Sequence, residues 1–159
     1  MNVRWYFLGM FFNCVFLAGC SPEAPAPNVD RHLESGRTYY EQGQYNASMI
    51  EARSALQIDA SNEAANLLMS DIYLSLGMAR QALKILQSID SESYDYNLRL
   101  IDAMLAVGKY GTSLHLLRQS EGVFAGNEIE SLLRVAEARI GLRDIESASL
   151  SYQKVLDLD

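Results

Sequence analysis

Two histidines, two cysteines and a lysine-bearing glycine turn are the residues of this 159-residue chain whose types could carry chemistry. A hydrolytic or transfer enzyme needs a nucleophile, a base or a metal held in register. His32 and His115 are the only imidazoles and fall in different parts of the chain; His115, in Leu114-His115-Leu116-Leu117, reads as a half-exposed helix residue. No His, Cys or Asp grouping has zinc spacing. Gly108-Lys109-Tyr110-Gly111-Thr112-Ser113 has the composition of a phosphate loop but not the Gly-x4-Gly-Lys-Ser/Thr order, and no strand signal precedes it. Asn46-Ala47-Ser48 fits a glycosylation sequon, and Tyr94 and Tyr96 read as the start of a helix, not as a base-stacking platform. A formal charge of −7 opposes nucleic-acid binding, which needs a basic face to displace counterions. The chain is therefore expected to have no catalytic residue, no metal site and no cofactor: it is not an enzyme.

The cysteines point to attachment. Arg4 is the only charge before Glu23, and a mostly apolar run extends from Trp5 to Ala18. That length suits the apolar region of a secretory signal and falls short of the ~20 residues of a spanning helix. Leu17-Ala18-Gly19-Cys20 resembles the lipobox of bacterial lipoproteins. The resemblance implies cleavage before Cys20, a diacylglycerol on its thiol and acylation (such as palmitate) of the new amine. Each buried methylene adds ~0.8 kcal/mol, and two or more chains hold stably. Cys14 would leave with the leader, so no free thiol would remain, which suits an oxidising envelope compartment. Ser21 after the cysteine, in place of aspartate, resembles the enteric pattern for the outer membrane, with the protein facing the periplasm. Ser21 to Asn28 carries Pro22, Pro25 and Pro27 and reads as an extended tether of roughly 25 Å. The expected organisation is a signal peptide over 1–19, a lipidated cysteine and tether over 20–28, and a folded region over 29–159.

The elements of that region are helices. All three prolines lie at or before Pro27, so nothing beyond interrupts a helical ladder, and 49% hydrophobic with 21% charged residues suits a folded domain. Tyr39-Tyr40-Glu41-Gln42-Gly43-Gln44-Tyr45, Tyr73-Leu74-Ser75-Leu76-Gly77-Met78-Ala79 and Met104-Leu105-Ala106-Val107-Gly108-Lys109-Tyr110 align on glycines 34 and 31 residues apart. In a fourth unit, Arg143 stands at the glycine place and Gly141 lies two residues earlier. A helix–turn–helix period near 34 residues resembles the tetratricopeptide repeat. The expected fold is all-α, a tetratricopeptide-repeat solenoid of about four units at about 29–62, 63–93, 94–128 and 129–159. Small residues at Gly36, Ser70, Ala82, Ala136 and Ala148 would let helix backbones approach. Departures include the absent tryptophan and closing proline, Ile101 for a small residue, and Arg139 for an aromatic one. Gln119 to Asn127 reads as a longer loop; Asn62 and Asn127 read as N-caps, Asn127 with Glu130 having capping-box spacing.

In such arrays the resemblance implies that the first helices line a concave groove for extended peptides or helices. Corresponding places form an apolar row Leu33, Leu67, Leu98, Leu133 and a second row Tyr40, Leu74, Leu105, Ile140, with Arg37, Asp71, Asp102 and Glu137 between them. Offsets of four and seven put each trio on one helix face. Either both apolar rows pack between repeats, or they form an apolar groove with an acidic strip for a partner segment that is basic and apolar. A lipobox followed by these repeats resembles the lipoproteins of exosortase-type sorting and exopolysaccharide export. It also resembles type IV pilus pilotins, which carry secretins, and adaptors of peptidoglycan enzymes. Each implies a membrane-anchored periplasmic scaffold that binds partner proteins. The alternative class is the N-terminal fragment of a longer repeat protein with its activity elsewhere. Leu156-Asp157-Leu158-Asp159 stands where one repeat would meet the next, without a polar capping helix, so self-association through that end is a further expectation.

Overall fold

A computed structural model describes residues 28–158; the lipobox with Cys20 and most of the tether lie outside them. Eight helices occupy the described residues: α1 (Val29–Glu41), α2 (Tyr45–Ile58), α3 (Glu63–Ser75), α4 (Ala79–Leu86), α5 (Tyr94–Ala106), α6 (Tyr110–Gln119), α7 (Glu128–Gly141) and α8 (Ile145–Leu158). None is long and apolar enough to cross a membrane.

The pairs α1–α2, α3–α4, α5–α6 and α7–α8 share one turn geometry. The chain leaves each first helix through a residue with positive φ: Gly43 at 71°, Gly77 at 72°, Gly108 at 80° and Arg143 at 63°. At each turn that residue's N–H donates to the carbonyl three residues back, and the next N–H reaches five back, as in Gly43 to Tyr40 at 2.9 Å and Gln44 to Tyr39 at 2.8 Å. This Schellman closure needs a left-handed residue, which glycine adopts without penalty. Arg143 makes the same two bonds, Arg143 to Ile140 at 2.9 Å and Asp144 to Arg139 at 2.9 Å, despite its Cβ. Gly141 has a different role: a Cβ there would lie 2.5 Å from the ring of Tyr110.

Helix starts are capped unequally. Asn28 accepts from Asp30 and Arg31, Asn62 from Ala65 at 3.0 Å and Ser93 from Tyr96 at 3.2 Å. Asn127 makes no side-chain cap, contrary to expectation. The Glu128 carboxylate reaches back to the Gly126 N–H at 2.9 Å, while Tyr94 donates its hydroxyl to Glu130. That bond lifts the Tyr94 phenol to about 12, and no capping box forms: the Asn127 N–H that a box would use donates instead to the Phe124 carbonyl at 2.8 Å.

Packing follows the small residues. Gly36, Ser70, Ala82, Ala136 and Ala148 are all buried, as is Ser48, whose hydroxyl donates to the Gly36 carbonyl at 2.7 Å. Ile101, the third unit's departure, is fully buried among Leu105, Leu117, Phe124 and Ala138. Arg139 donates to the Ser147 carbonyl and the Ser151 hydroxyl, so a polar tie to α8 replaces the expected aromatic contact. The first helices touch in succession, α1 with α3, α3 with α5 and α5 with α7. Among the described residues the second helices α2, α4, α6 and α8 do not touch one another. The array therefore curves, with its first helices on the inside.

Candidate functional site

The inner surface is made from one stripe on each first helix. Along it, α1, α3 and α5 enclose an open groove of ≈ 630 Å³ lined by Arg37, Tyr40, Glu41, Glu63, Leu67 and Asp71, with Asp95 and Arg99 on its α5 side. Leu67 sits on the groove floor with only 8% exposure. Tyr40 is half-buried at the wall and shares a 2.8 Å hydrogen bond between its hydroxyl and Ser75. Glu63 accepts from both Ser91 and Ser93, at 2.9 and 2.7 Å, which ties the α4–α5 connection to the start of α3.

The apolar rows separate by depth. Leu33 is buried against α2 and α3, Leu105 is buried in the cluster with Ile101, and Leu98 and Leu74 are half-buried between units. Leu133 and Ile140, on α7, are 40% and 46% exposed. Of the expected residues, Arg37, Tyr40, Leu67 and Asp71 converge on the groove. Leu33, Leu74, Leu98 and Leu105 belong mainly to the packing between repeats. Leu133, Glu137 and Ile140 lie at the far end of the array.

The expected acidic strip needs correction, because two of its carboxylates are already engaged. Arg99 of α5 directs its Nε to both oxygens of Asp71, at 2.8 and 2.9 Å, and its Nη1 to the Asp95 carbonyl at 3.0 Å. Arg134 of α7 clamps Asp102 with two separate N–H groups, Nε at 2.7 Å and Nη2 at 3.1 Å. One N–H shared by two oxygens compensates desolvation less well than a fork of two. Accordingly, burial holds the Asp71 carboxyl above its ordinary value even though Arg99 opposes the shift. These clamps recur because Arg99 and Arg134 occupy the same place on successive first helices, each meeting the carboxylate of the helix before it. Sequence reasoning missed both arginines. The available signal was the aligned row Glu34, Leu68, Arg99, Arg134, one residue beyond the apolar row.

The groove remains acidic through other residues. Its lining holds four carboxylates, Glu41, Glu63, Asp71 and Asp95, against two guanidiniums, Arg37 and Arg99. Glu41 and Glu63 form no ion pair among the described residues. His32 lies on the α2 side of α1, where its Nδ1 meets Glu51 at 2.6 Å. No group of three or more potential metal ligands converges among the described residues. A second cavity of ≈ 510 Å³ lies between the α6–α7 connection and the end of α8, beside Phe124, Leu132 and Leu158.

Residues 39–106 match the family model of the tetratricopeptide repeat. Among solved structures, the chain resembles a crystal structure of MamA at 17% identity and a TM-score of 0.69, covering 82% of this chain and 73% of that one. A mutant MamA structure is similar at 18% identity and a TM-score of 0.67, over 86% of this chain and 81% of that one. No curated protein sequence matches. The fold is a tetratricopeptide-repeat solenoid, an architecture that serves as a scaffold for protein–protein interaction.

Proposed function

We propose that the chain is a lipid-anchored scaffold of the bacterial cell envelope, tethered at Cys20 to the outer membrane and facing the periplasm. In this reading it captures a partner protein in the groove of α1, α3 and α5 and serves a surface-export or sorting assembly of the exopolysaccharide type. The observation that supports it most is the groove itself: open, floored by Leu67, walled by Tyr40 and edged by Glu41 and Glu63 without counterions among the described residues. A partner segment that is basic and apolar fits those groups. Asp71 and Asp102 act as internal struts in this account, so recognition passes to the carboxylates nearer the rim.

Two measurements test the parts separately. Cys20→Ser should move the protein from the membrane fraction to the soluble fraction; retention in the membrane would refute the anchor. A photo-crosslinking residue in place of Tyr40 should give a discrete protein adduct in native cells. Glu41→Lys combined with Glu63→Lys should abolish that adduct while the helical signal is unchanged. An adduct indifferent to both charges would remove the groove from the reading. An adduct with a pilus secretin would favour a pilotin over a sorting scaffold.

A further inference from the structure

Sharing no residue with the groove, a cavity of ≈ 390 Å³ opens between α4 and the turn from α5 to α6. Arg80 and Lys84 reach it from α4, one helical turn apart, and Lys109 reaches it from the start of α6. Leu83, Gln87 and Val107 complete its lining, which contains no carboxylate. That charge departs from the rest of the molecule. The chain carries 20 acidic against 13 basic residues, and two of its three lysines stand here. The groove holds four carboxylates, and the cavity beside Phe124 holds Glu121, Glu128 and Asp157. Arg80, Lys84 and Lys109 are exposed and form no ion pair among the described residues.

The fold itself gives these cations no compensation. Like charges four places apart on a helix oppose each other, and α4 has no carboxylate along its length to relieve Arg80 and Lys84. Arg80 is the second residue of α4 and Lys109 is the N-cap of α6. Helix N-termini carry partial positive charge and disfavour a cation. The first turns of α1, α3, α5 and α8 answer that charge with Asp30, Glu63, Asp95 and Glu146. In α4 and α6 there is neither an acid in the first turn nor a side-chain cap. Three cations from two successive units thus share one concavity, where a single anion seated between them offsets all three.

We infer that this cavity binds the phosphate of a small organic phosphate ester. Phosphate oxygens point to different corners of a tetrahedron, so three donors arriving from two helices can share them, the guanidinium as a fork and the ammonium groups as point charges. A carboxylate offers only two oxygens in one plane. The cavity exceeds the size of a phosphate group alone. Leu83 and Val107, which belong to the apolar cluster beneath, give it a floor for the esterified group, with the Gln87 amide beside them. A soluble glycerol phosphate and the glycerophosphate headgroup of an anionic lipid present the same chemistry to this site.

Reductive methylation with isotope-labelled formaldehyde keeps the charge of Lys84, Lys109 and Lys154 and makes each visible by NMR, with Lys→Arg variants to assign the signals. Glycerol phosphate titrated into the full chain in non-ionic detergent should shift Lys84 and Lys109 saturably and leave Lys154, on α8, unmoved. Arg80→Glu should weaken that binding about tenfold or more without altering the helical signal. Short-chain phosphatidylglycerol, with phosphatidylcholine as its control, distinguishes the sources. Saturation by this lipid at lower concentration than by glycerol phosphate assigns the site to a headgroup, and the reverse order assigns it to a soluble ester. No saturable shift with either probe, equal shifts at Lys154, or an affinity indifferent to Arg80→Glu would overturn the proposal. So would a glutamate-rich peptide that binds more tightly than both phosphates, because an acidic protein segment would then be the occupant.

Discussion

Replacing Gly141 by alanine sets two effects of opposite sign against each other, and the structure decides between them. Gly141 is the last residue of α7, where alanine would gain somewhat less than the ~1 kcal/mol it gains in a helix interior. Against that, a Cβ at this position would lie 2.5 Å from Cδ1, Cε1 and Cζ of Tyr110, when ordinary contact begins at 3.4 Å. Tyr110 starts α6 and packs on the cluster of Ile101, Leu105, Leu117 and Phe124, so its ring cannot retreat without disturbing that core. Overpacking of this kind costs ~1–3 kcal/mol, which leaves Gly141→Ala destabilising by ~1–2 kcal/mol. In a Tyr110→Ala background the obstruction is gone and the same substitution should stabilise by ~0.5 kcal/mol through helix propensity alone. The coupling between the two sites is then ~2 kcal/mol, well above the ~0.5 kcal/mol within which independent sites add. Urea unfolding followed by circular dichroism, with slopes compared to confirm a common transition, measures all four corners. If Gly141→Ala has the same sign in both backgrounds, Gly141 is only a displaced turn residue and the packing argument fails.

Arg143→Gly should stabilise the array by ~0.5–1 kcal/mol, since a non-glycine residue at positive φ costs ~1–2 kcal/mol and the greater freedom of unfolded glycine returns part of it; a midpoint unchanged or lowered would mean that the Arg143 side chain contributes more than its backbone costs. Arg134→Ala should cost ~1–2 kcal/mol, below the ~3–5 kcal/mol of a fully buried broken pair, because Asp102 keeps 37% exposure and water can reach it; no loss in urea midpoint would make the clamp ornamental. Asp71 gives a pH signature. Its folded pKa is raised, so its contribution is fully present below its unfolded value and is lost as pH rises through the folded one. The stability of the parent relative to Asp71→Asn should therefore increase as pH falls from 7 toward 4, and a decrease over that window would show that Arg99 outweighs burial.

What was legible in the sequence had a local cause, and what was missed required a neighbour. The turn glycines announce themselves because φ near 71–80° excludes most side chains, so their spacing exposes the period, and with it the helix pairs. Even the fourth turn was placed correctly by alignment, although only the structure shows Arg143 holding the left-handed conformation and freeing Gly141 to receive Tyr110. Asn62 could be read as a cap because its partner, the Ala65 N–H, is three residues away. Asn127 with Glu130 had the same local grammar and failed: the Asn127 N–H donates to the Phe124 carbonyl of the preceding loop, and Glu130 accepts from Tyr94, 36 residues earlier. The groove followed the same division. The stripe Leu67–Asp71–Leu74 is a property of one helix and could be read from spacing, but its charge is a property of two. Asp71 and Asp102 look like an acidic strip until Arg99 and Arg134 arrive from the next helix, 28 and 32 residues on. A row read down one helix face gives the side chains that can be presented; only the row beside it, on the adjoining unit, decides which of them remain free to meet a partner. By that test Glu41, Glu63 and Glu137 are left without an ion pair among the described residues, whereas Asp71 and Asp102 are each held by an arginine of the following unit.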